Sequence, residues 1–408
     1  MYQADRGNYK TNESIGQQFT HSCLGRLIIL GAIAAILAII ASFTVPGEQK
    51  MKREMIDNIR QCILVNDSVN TDEFDDFFNN ISFIFTHAKK EIDPEAKANF
   101  YKLNTLHLHL NDNEICKDPQ ADWSTKYAAF RLESSTYPEL TAKDGSYSKA
   151  EFRDFMHYAR TRGVTVVPEI DVPAHSLAFT RIRPDFASRE YGADHFDLAK
   201  QDEILAWLEP LFAEYLTGAD PVFAGPYCHV GTDEYNKAAA EDFRKFTDAM
   251  FKMVRKYGYK ACAWGSLSHA RGETPVIADR DIYMDIWSNH FYQPEDAIAA
   301  GYSIVSIPDG WVYIVPKAGY YYDYLNLPFL FNNWEPNVIG DKVLPEDCEQ
   351  IVGGKYALWN DLLDAATLED VEKRISYAMP VMAQKLWSGK VREQTFEEFE
   401  LLSYRLRP

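Results

Sequence analysis

The sequence predicts an α/β protein: a (β/α)8 TIM-type barrel with an irregular or incomplete first strand, set behind an N-terminal transmembrane helix. Three observations predict it. From about residue 100 onward, short β-rich runs alternate with amphipathic helical stretches, the pattern of a parallel sheet with crossover helices. The ends of those runs collect polar side chains and tryptophans, and a TIM-type barrel gathers its working residues at the C-terminal ends of its strands. Residues 27–45 (LIILGAIAAILAIIASFTV) form an uncharged apolar run long enough to cross a bilayer core.

Taken in order, residues 1–26 are a polar leader and 27–45 the single-pass anchor. A cleaved signal peptide is the alternative, because Ala41 and Ser42 supply small residues late in the run, and a buried soluble helix is a third reading. The leader favours an uncleaved anchor. Arg26 lies on its N-terminal side and Lys50, Lys52, Arg53 and Arg60 on the other, so charge bias holds the large domain inside the cell. A domain working on extracellular material requires the opposite, and an extracellular domain is the expectation carried forward. Residues 46–80 form an acidic linker or small helical segment, and 81–408 the barrel.

Seven strand-like runs are placed at 106–110, 165–170, 227–231, 261–264, 283–286, 303–307 and 357–359, with 81–86 (ISFIFT) as candidate for an eighth. A closed barrel leaves no strand edge open, so 81–86 is expected to pair in parallel with 105–110, placing Lys89 or Lys90 at the pocket rim. The stretch 148–162 reads as a helix. Ser148 and Glu151 make a capping box, Phe152, Phe155, Met156 and Ala159 fall on one face, and Gly163 follows as a stop. Residues 237–257, followed by Gly258, read the same way.

Composition narrows the function. A net charge of −18 repels phosphate backbones and excludes nucleic acid as a partner. Six cysteines without a CxxC pair indicate neither a zinc ribbon nor a disulfide scaffold, and Cys228 and Cys262 sit in apolar runs as buried thiols. No cofactor and no metal are expected. The 14% aromatic content suits a site that stacks on sugar faces.

Strand by strand, the run ends present His107, His109, Asn111 and Asp112; then Glu169, Asp171 and His175; then His229, Asp233 and Glu234; then Trp264, Trp287, Trp359 and Asp361. Each has a plainer reading. The two histidines alternate with leucines and suit a hydrogen-bonded core as well as a metal. Asp233 and Glu234 suit the start of a helix, and each tryptophan suits a core. Their joint arrangement points to chemistry. Adjacent carboxylates at a strand end suit glycosidic cleavage, one donating a proton to the leaving oxygen and the other stabilising charge at the sugar. Like charges side by side raise the pKa of one, which keeps an acid loaded.

The segments KLNTLHLHLND, VVPEIDVPAH, HVGTDEY, AWG and ALWND, in that order over roughly residues 100–390, resemble the motif series of glycoside hydrolase family 20, the β-N-acetylhexosaminidases. DGWVYIVPKAGYYYDYLN further resembles the family's lacto-N-biosidase branch. The resemblance implies an exo-acting enzyme that releases terminal β-linked N-acetylhexosamine-containing units from oligosaccharides or glycoconjugates by substrate-assisted retaining catalysis. Family 20 is an exception to the two-carboxylate scheme. It implies Glu234 as general acid and base, Asp233 on the acetamido N–H, and Tyr321 on the acetamido oxygen, with Tyr320 and Tyr322 as alternatives. Trp264, Trp287 and Trp359 would line the pocket, Asp323 and Asp361 would bind hydroxyls, and His175, with Asp112 or Asp171, would support Glu234. His229 joins them from behind.

Two departures stand out. Trp359-Asn360-Asp361 replaces the family's Trp-Gly-Glu, and the shorter carboxylate leaves room for a disaccharide. The first-strand arginine that grips sugar hydroxyls is absent from the sequence motif. That favours a rival reading, a weak or inactive membrane-tethered glycan-binding relative. A glycosidase with a covalent carboxylate nucleophile is a third.

Overall fold

The computed structural model describes residues 82–88, 103–390 and 394–406. The leader, the anchor at 27–45, the segment 46–80 and Lys89 and Lys90 lie outside the described residues. Among the described residues no helix is long and apolar enough to cross a membrane.

Seven strands form a parallel, curled sheet in chain order: β2 (Thr105–His109), β5 (Thr165–Val172), β8 (Tyr227–Gly231), β9 (Lys260–Trp264), β10 (Tyr283–Ile286), β11 (Ser303–Ser306) and β15 (Ile351–Leu358). All seven predicted runs are strands. β1 (Ser82–Ala88) bonds to both β2 and β15 and closes the ring. Its direction corrects the sequence reading: it is antiparallel to both neighbours, with Ser82 opposite His109 and Ala88 opposite Gly353. Closing a barrel edge requires paired backbone groups, and an antiparallel neighbour supplies them as fully as a parallel one. The strand therefore ends, at Ala88, on the side of the barrel away from His109; Lys89 and Lys90, expected at the pocket rim, lie outside the described residues.

Short strands decorate the rim: the pairs β3 (Asn111–Asn113) with β4 (Ala128–Phe130), β6 (Ala187–Ser188) with β7 (Gly192–Phe196), and β13 (Val338–Ile339) with β14 (Lys342–Val343), while β12 (Tyr313–Ile314) adds to β15. The helix Lys149–Thr161 forms as its sequence demands. The Ser148 side chain and Glu151 cap reciprocally, Phe152, Met156 and Ala159 are buried, and Gly163 takes a positive φ beyond its end. The helix Ala240–Lys256 buries Phe243, Phe246, Met250, Phe251 and Val254. Between such helices and the sheet lies the apolar core. Strand side chains alternate between that core and the barrel interior, so the inward set is free to be polar.

Candidate active site

The inward positions of successive strands carry His107 and His109, Glu169 and Asp171, His229, Trp264, Asp285, and Lys355, all buried. Their upper ends open onto the predicted carboxylates. β8 stops at Gly231, whose positive φ is followed by left-handed Thr232 and Glu234. Gly231 is required: a Cβ there would lie 1.6 Å from Asp171 Oδ1. This break lifts Asp233 and Glu234 off the strand. Neither caps the following helix, because Asn236 accepts the Ala238 amide and begins the turn at 237–239.

Glu234 faces the cleft half-exposed, with His175 Nε2 3.5 Å from Oε2. His175 Nδ1 lies 2.8 Å from Asp112 Oδ1, so of the two supports named from sequence, Asp112 is the one bonded to His175. The loop carrying His175 is held by Asn111, which donates to the carbonyls of Asp171 (2.9 Å) and His175 (3.1 Å). With Asp112 and Glu234 at its two nitrogens, His175 is pushed well above its usual pKa despite the opposing effect of burial. The imidazolium in turn holds Glu234 below its ordinary value, against burial.

Asp233 behaves oppositely. Burial, reinforced by the charges of Glu234 and Glu169, raises it to about 6, and its Oδ1 is sealed from solvent with no hydrogen-bond partner among the described residues. Of the like-charged pair, the member whose pKa is raised is Asp233, while that of Glu234 is lowered. The two differ because on buried Asp233 desolvation outweighs the charge of His175, whereas Glu234 both pairs with His175 and feels its charge. Asp171, buried against Asp233, is raised well above the carboxylate range by burial.

The aromatic side chains wall this space. Trp264 and Trp359 have ring centroids 5.6 Å apart, Tyr313 lies 5.5 Å from Trp359, and Tyr321 5.5 Å from Tyr313. Trp287 is buried in the same cluster and packs on Phe291 at 4.4 Å. The Trp287 and Trp359 indole N–H groups have no partner among the described residues, whereas Trp264 donates to Glu169 Oε1 at 2.6 Å. Of the three tyrosines, Tyr321 donates to Asp309 (2.8 Å) and feels the charges of Glu234 and Asp361. Tyr320 donates to Asp361 (2.8 Å), and Tyr322 pairs its backbone with Val315. Burial raises Asp361 to about 6. Asp323 is placed against Arg374 at 2.8 Å and accepts the Lys317 amide.

Sequence reasoning left out Asp309, Asp285 and Lys355, and named Glu169 and His109 without giving them a role. A signal existed. Counting back in steps of two from Trp287 reaches Asp285, and from Trp359 in two such steps reaches Lys355, both on the inward face. His107, His229 and Asp285 offer nitrogen and oxygen atoms within 4.8 Å of one another. The cation they hold is the Lys355 ammonium, which donates to His107 Nδ1 (2.9 Å) and to Asp285.

A barrel that presents adjacent carboxylates among stacked tryptophans at its strand ends has the architecture of a glycoside hydrolase. The chain belongs to glycosyl hydrolase family 20: the family's catalytic-domain model matches residues 88–390. It is 25% identical over 329 residues to a β-N-acetylhexosaminidase of Cellulomonas fimi, covering 73% of this chain and 60% of that one. It is 22% identical over 300 residues to a lacto-N-biosidase of Bifidobacterium bifidum, covering 66% and 26%. The chain thus spans 60% or less of the length of these relatives. Among solved structures, the β-N-acetylhexosaminidase of Bacteroides fragilis shares the fold with a TM-score of 0.58 at 20% identity, over 79% of this chain and 70% of that one. A chitobiase of Flavobacterium johnsoniae gives 0.56 at 22% identity, over 75% and 47%.

Proposed function

We propose that this chain is an exo-acting glycosidase that removes terminal β-linked N-acetylhexosamine-containing units with the substrate's own acetamido group as nucleophile. The observation that carries the reading is Asp233: a sealed, unpartnered carboxylate oxygen beside a solvent-facing Glu234, inside a tryptophan-walled space. An acetamido N–H is the donor that oxygen lacks. Its hydrogen bond favours the ionised form of Asp233, while a bound sugar strips water from Glu234 and favours its protonated form. Glu234 then gives its proton to the leaving oxygen as the acetamido oxygen bonds to C1. The resulting oxazolinium charge sits against Asp233, with Tyr321 on the former carbonyl oxygen. Glu234, now a base, takes a proton from water that attacks C1; the C1–acetamido oxygen bond breaks, the acetamido group is regenerated, and the two inversions retain the configuration.

Within this reading the substrate class is a disaccharide ending in β-linked N-acetylglucosamine, lacto-N-biose type, in preference to a single sugar. Asp361 is one methylene shorter than a glutamate, is held by Tyr320, and is followed by exposed Leu362 and Leu363, which offer apolar surface to a second sugar. The domain is proposed to be tethered through residues 27–45 and to face outward; protease shaving of intact cells that spares it would count against that orientation. The second reading, a weak glycan-binding relative, is favoured by the antiparallel β1, which breaks the family's strand direction where its sugar-gripping arginine belongs. Hydrolysis of an aryl lacto-N-bioside and an aryl N-acetylglucosaminide separates the two. Turnover of neither, with measurable binding of both, establishes the binding module.

A further inference from the structure

Beneath Glu234 the buried groups form one continuous chain in which carboxylates and bases alternate. From Glu234, His175 leads to Asp112 as described. Asp112 Oδ2 meets His109 Nε2 at 3.0 Å, and His109 Nδ1 meets Glu169 Oε2 at 2.6 Å. Glu169 Oε1 meets His229 Nδ1 at 2.9 Å, His229 Nε2 meets Asp285 Oδ2 at 3.2 Å, and Asp285 ends on the Lys355 ammonium. The Gly231 N–H donates toward His229 Nδ1 at 3.1 Å, so Glu169 Oε1, 2.9 Å away, competes with that amide for the nitrogen; against burial, the charges of Glu169 and Asp285 raise the His229 pKa and favour the doubly protonated ring. His107 is a neutral side branch: its Nδ1 accepts from Lys355, its Nε2 faces Glu169 at 3.1 Å, and its pKa falls to about 3.

We infer that Lys355 is a positioning residue for the acid: it completes the count of cations that lets each carboxylate of the chain own one, and so sets the protonation state of Glu234 at the far end. This rests on the reading of Glu234 as general acid. The chain holds four carboxylates, Glu234, Asp112, Glu169 and Asp285, against three imidazoles, His175, His109 and His229, and one ammonium. With Lys355 present they divide into four pairs, and Glu234 keeps His175. Without it, Asp285 takes His229, Glu169 takes His109 and Asp112 takes His175, and Glu234 is left unpaired. It is the terminal carboxylate, with one base neighbour and an open face, so it is where the missing charge is made good by a proton.

Other groups face both ends of the chain. Around Glu234 stand Asp233 on its own loop, Asp171 behind it, His195 on β7 with its partner Asp194 (2.8 Å), Tyr321, and Asp361. Around Lys355 stand Asp285, His107, Cys262 and the Trp264 ring at 5.5 Å. The directions of shift agree with the pairing: Glu234, Asp112, Glu169 and Asp285 are all held below their ordinary values, and His175, His109 and His229 above theirs.

The test compares the pH dependence of kcat/KM, on a substrate with a poor leaving group, in the full-length protein and in Lys355→Met, Asp285→Asn and the double variant. A general acid is lost as pH rises through its pKa, which forms the basic limb. Lys355→Met leaves four carboxylates to three cations, so Glu234 titrates higher and the limb moves up by about one pH unit. Asp285→Asn leaves three carboxylates to four cations, and the limb moves down. The double variant restores the balance and returns the limb to the wild-type position. Limbs that coincide in all four proteins, or single variants that move the same way, overturn the inference, because a merely structural lysine alters Tm and not the sign of a pH shift. Should a single variant not fold, histidine-selective ¹⁵N NMR of the wild type decides: His229, His109 and His175 must each carry two ring protons at pH 7, and a neutral His229 refutes the chain. A wild type that cleaves no N-acetylhexosaminide defeats the functional reading alone and leaves the NMR result standing.

Discussion

Glu169→Gln is the most informative single change to the barrel interior. The carboxylate is fully buried, hydrogen-bonds to His109 Nδ1 at 2.6 Å and to the Trp264 indole N–H at 2.6 Å, and lies 2.9 Å from His229 Nδ1 and 3.1 Å from His107 Nε2. These imidazoles hold it well below its usual pKa against the cost of burial. A glutamine keeps the volume but replaces one oxygen by an NH2 group, so in either orientation a ring N–H, of Trp264 or of His109, meets a donor. Each hydrogen bond to a charged group contributes about 1.5–3 kcal/mol, and removing one member of a buried ionic set costs about 3–5 kcal/mol because the remaining charges lose their partner. The bonds share one acceptor and are not additive, so the second figure applies. At about 2 °C per kcal/mol for a large domain, Tm falls by roughly 6–10 °C at pH 6.5. The sign of the pH effect follows from the depressed pKa. The carboxylate's stabilisation is fully present above its unfolded value of 4.5 and is lost as pH falls through the lower folded value, so the gap between variant and wild type narrows in acid. Calorimetry from pH 4 to 7 reads this, with Glu114→Gln, which breaks only a partly exposed pair with Lys126, as a control worth about 1 kcal/mol or less. A Glu169→Gln protein that melts within 2 °C of the wild type at pH 6.5 would refute the charge chain as a structural element.

Three further outcomes are expected. Glu234→Gln should lower turnover of substrates with poor leaving groups by about 10²–10⁴-fold and spare activated aryl glycosides, because only the former need a proton; equal losses on both would remove Glu234 from the acid role. Asp233→Asn should nearly abolish turnover with an unchanged Tm, and an N-acetylglucosamine-derived thiazoline should inhibit the wild type competitively; insensitivity at saturation would eliminate the acetamido nucleophile. Gly231→Ala should give insoluble or strongly destabilised protein, since the new methyl overlaps Asp171 at a positive φ, and a soluble variant with normal activity would show that the Asp171 carboxyl can move aside.

How much of this was legible beforehand differs by element. The seven parallel strands and the helix at 149–161 rest on local properties, namely period-two or period-3.6 apolar spacing, a capping box and a terminal glycine, and these act within a few residues of chain. The sequence by itself also determined the family and the residues at the strand ends, because those motifs are contiguous. The direction of β1 was not readable, since a six-residue apolar run pairs equally well either way and the choice belongs to its neighbours β2 and β15. Nor was the division of labour between Asp233 and Glu234: two adjacent carboxylates differ only through what folds against them, and His175 arrives from a different strand end. The choice of Asp112 over Asp171, of Tyr321 toward Asp309, and of Lys355 as the cation beneath Trp264 were decided in the same way. Spacing along the chain fixes which face a side chain occupies. Which charge it meets there, and therefore where the protons reside, depends on distances between residues as far apart as His107 and Lys355, and only the closed barrel sets those.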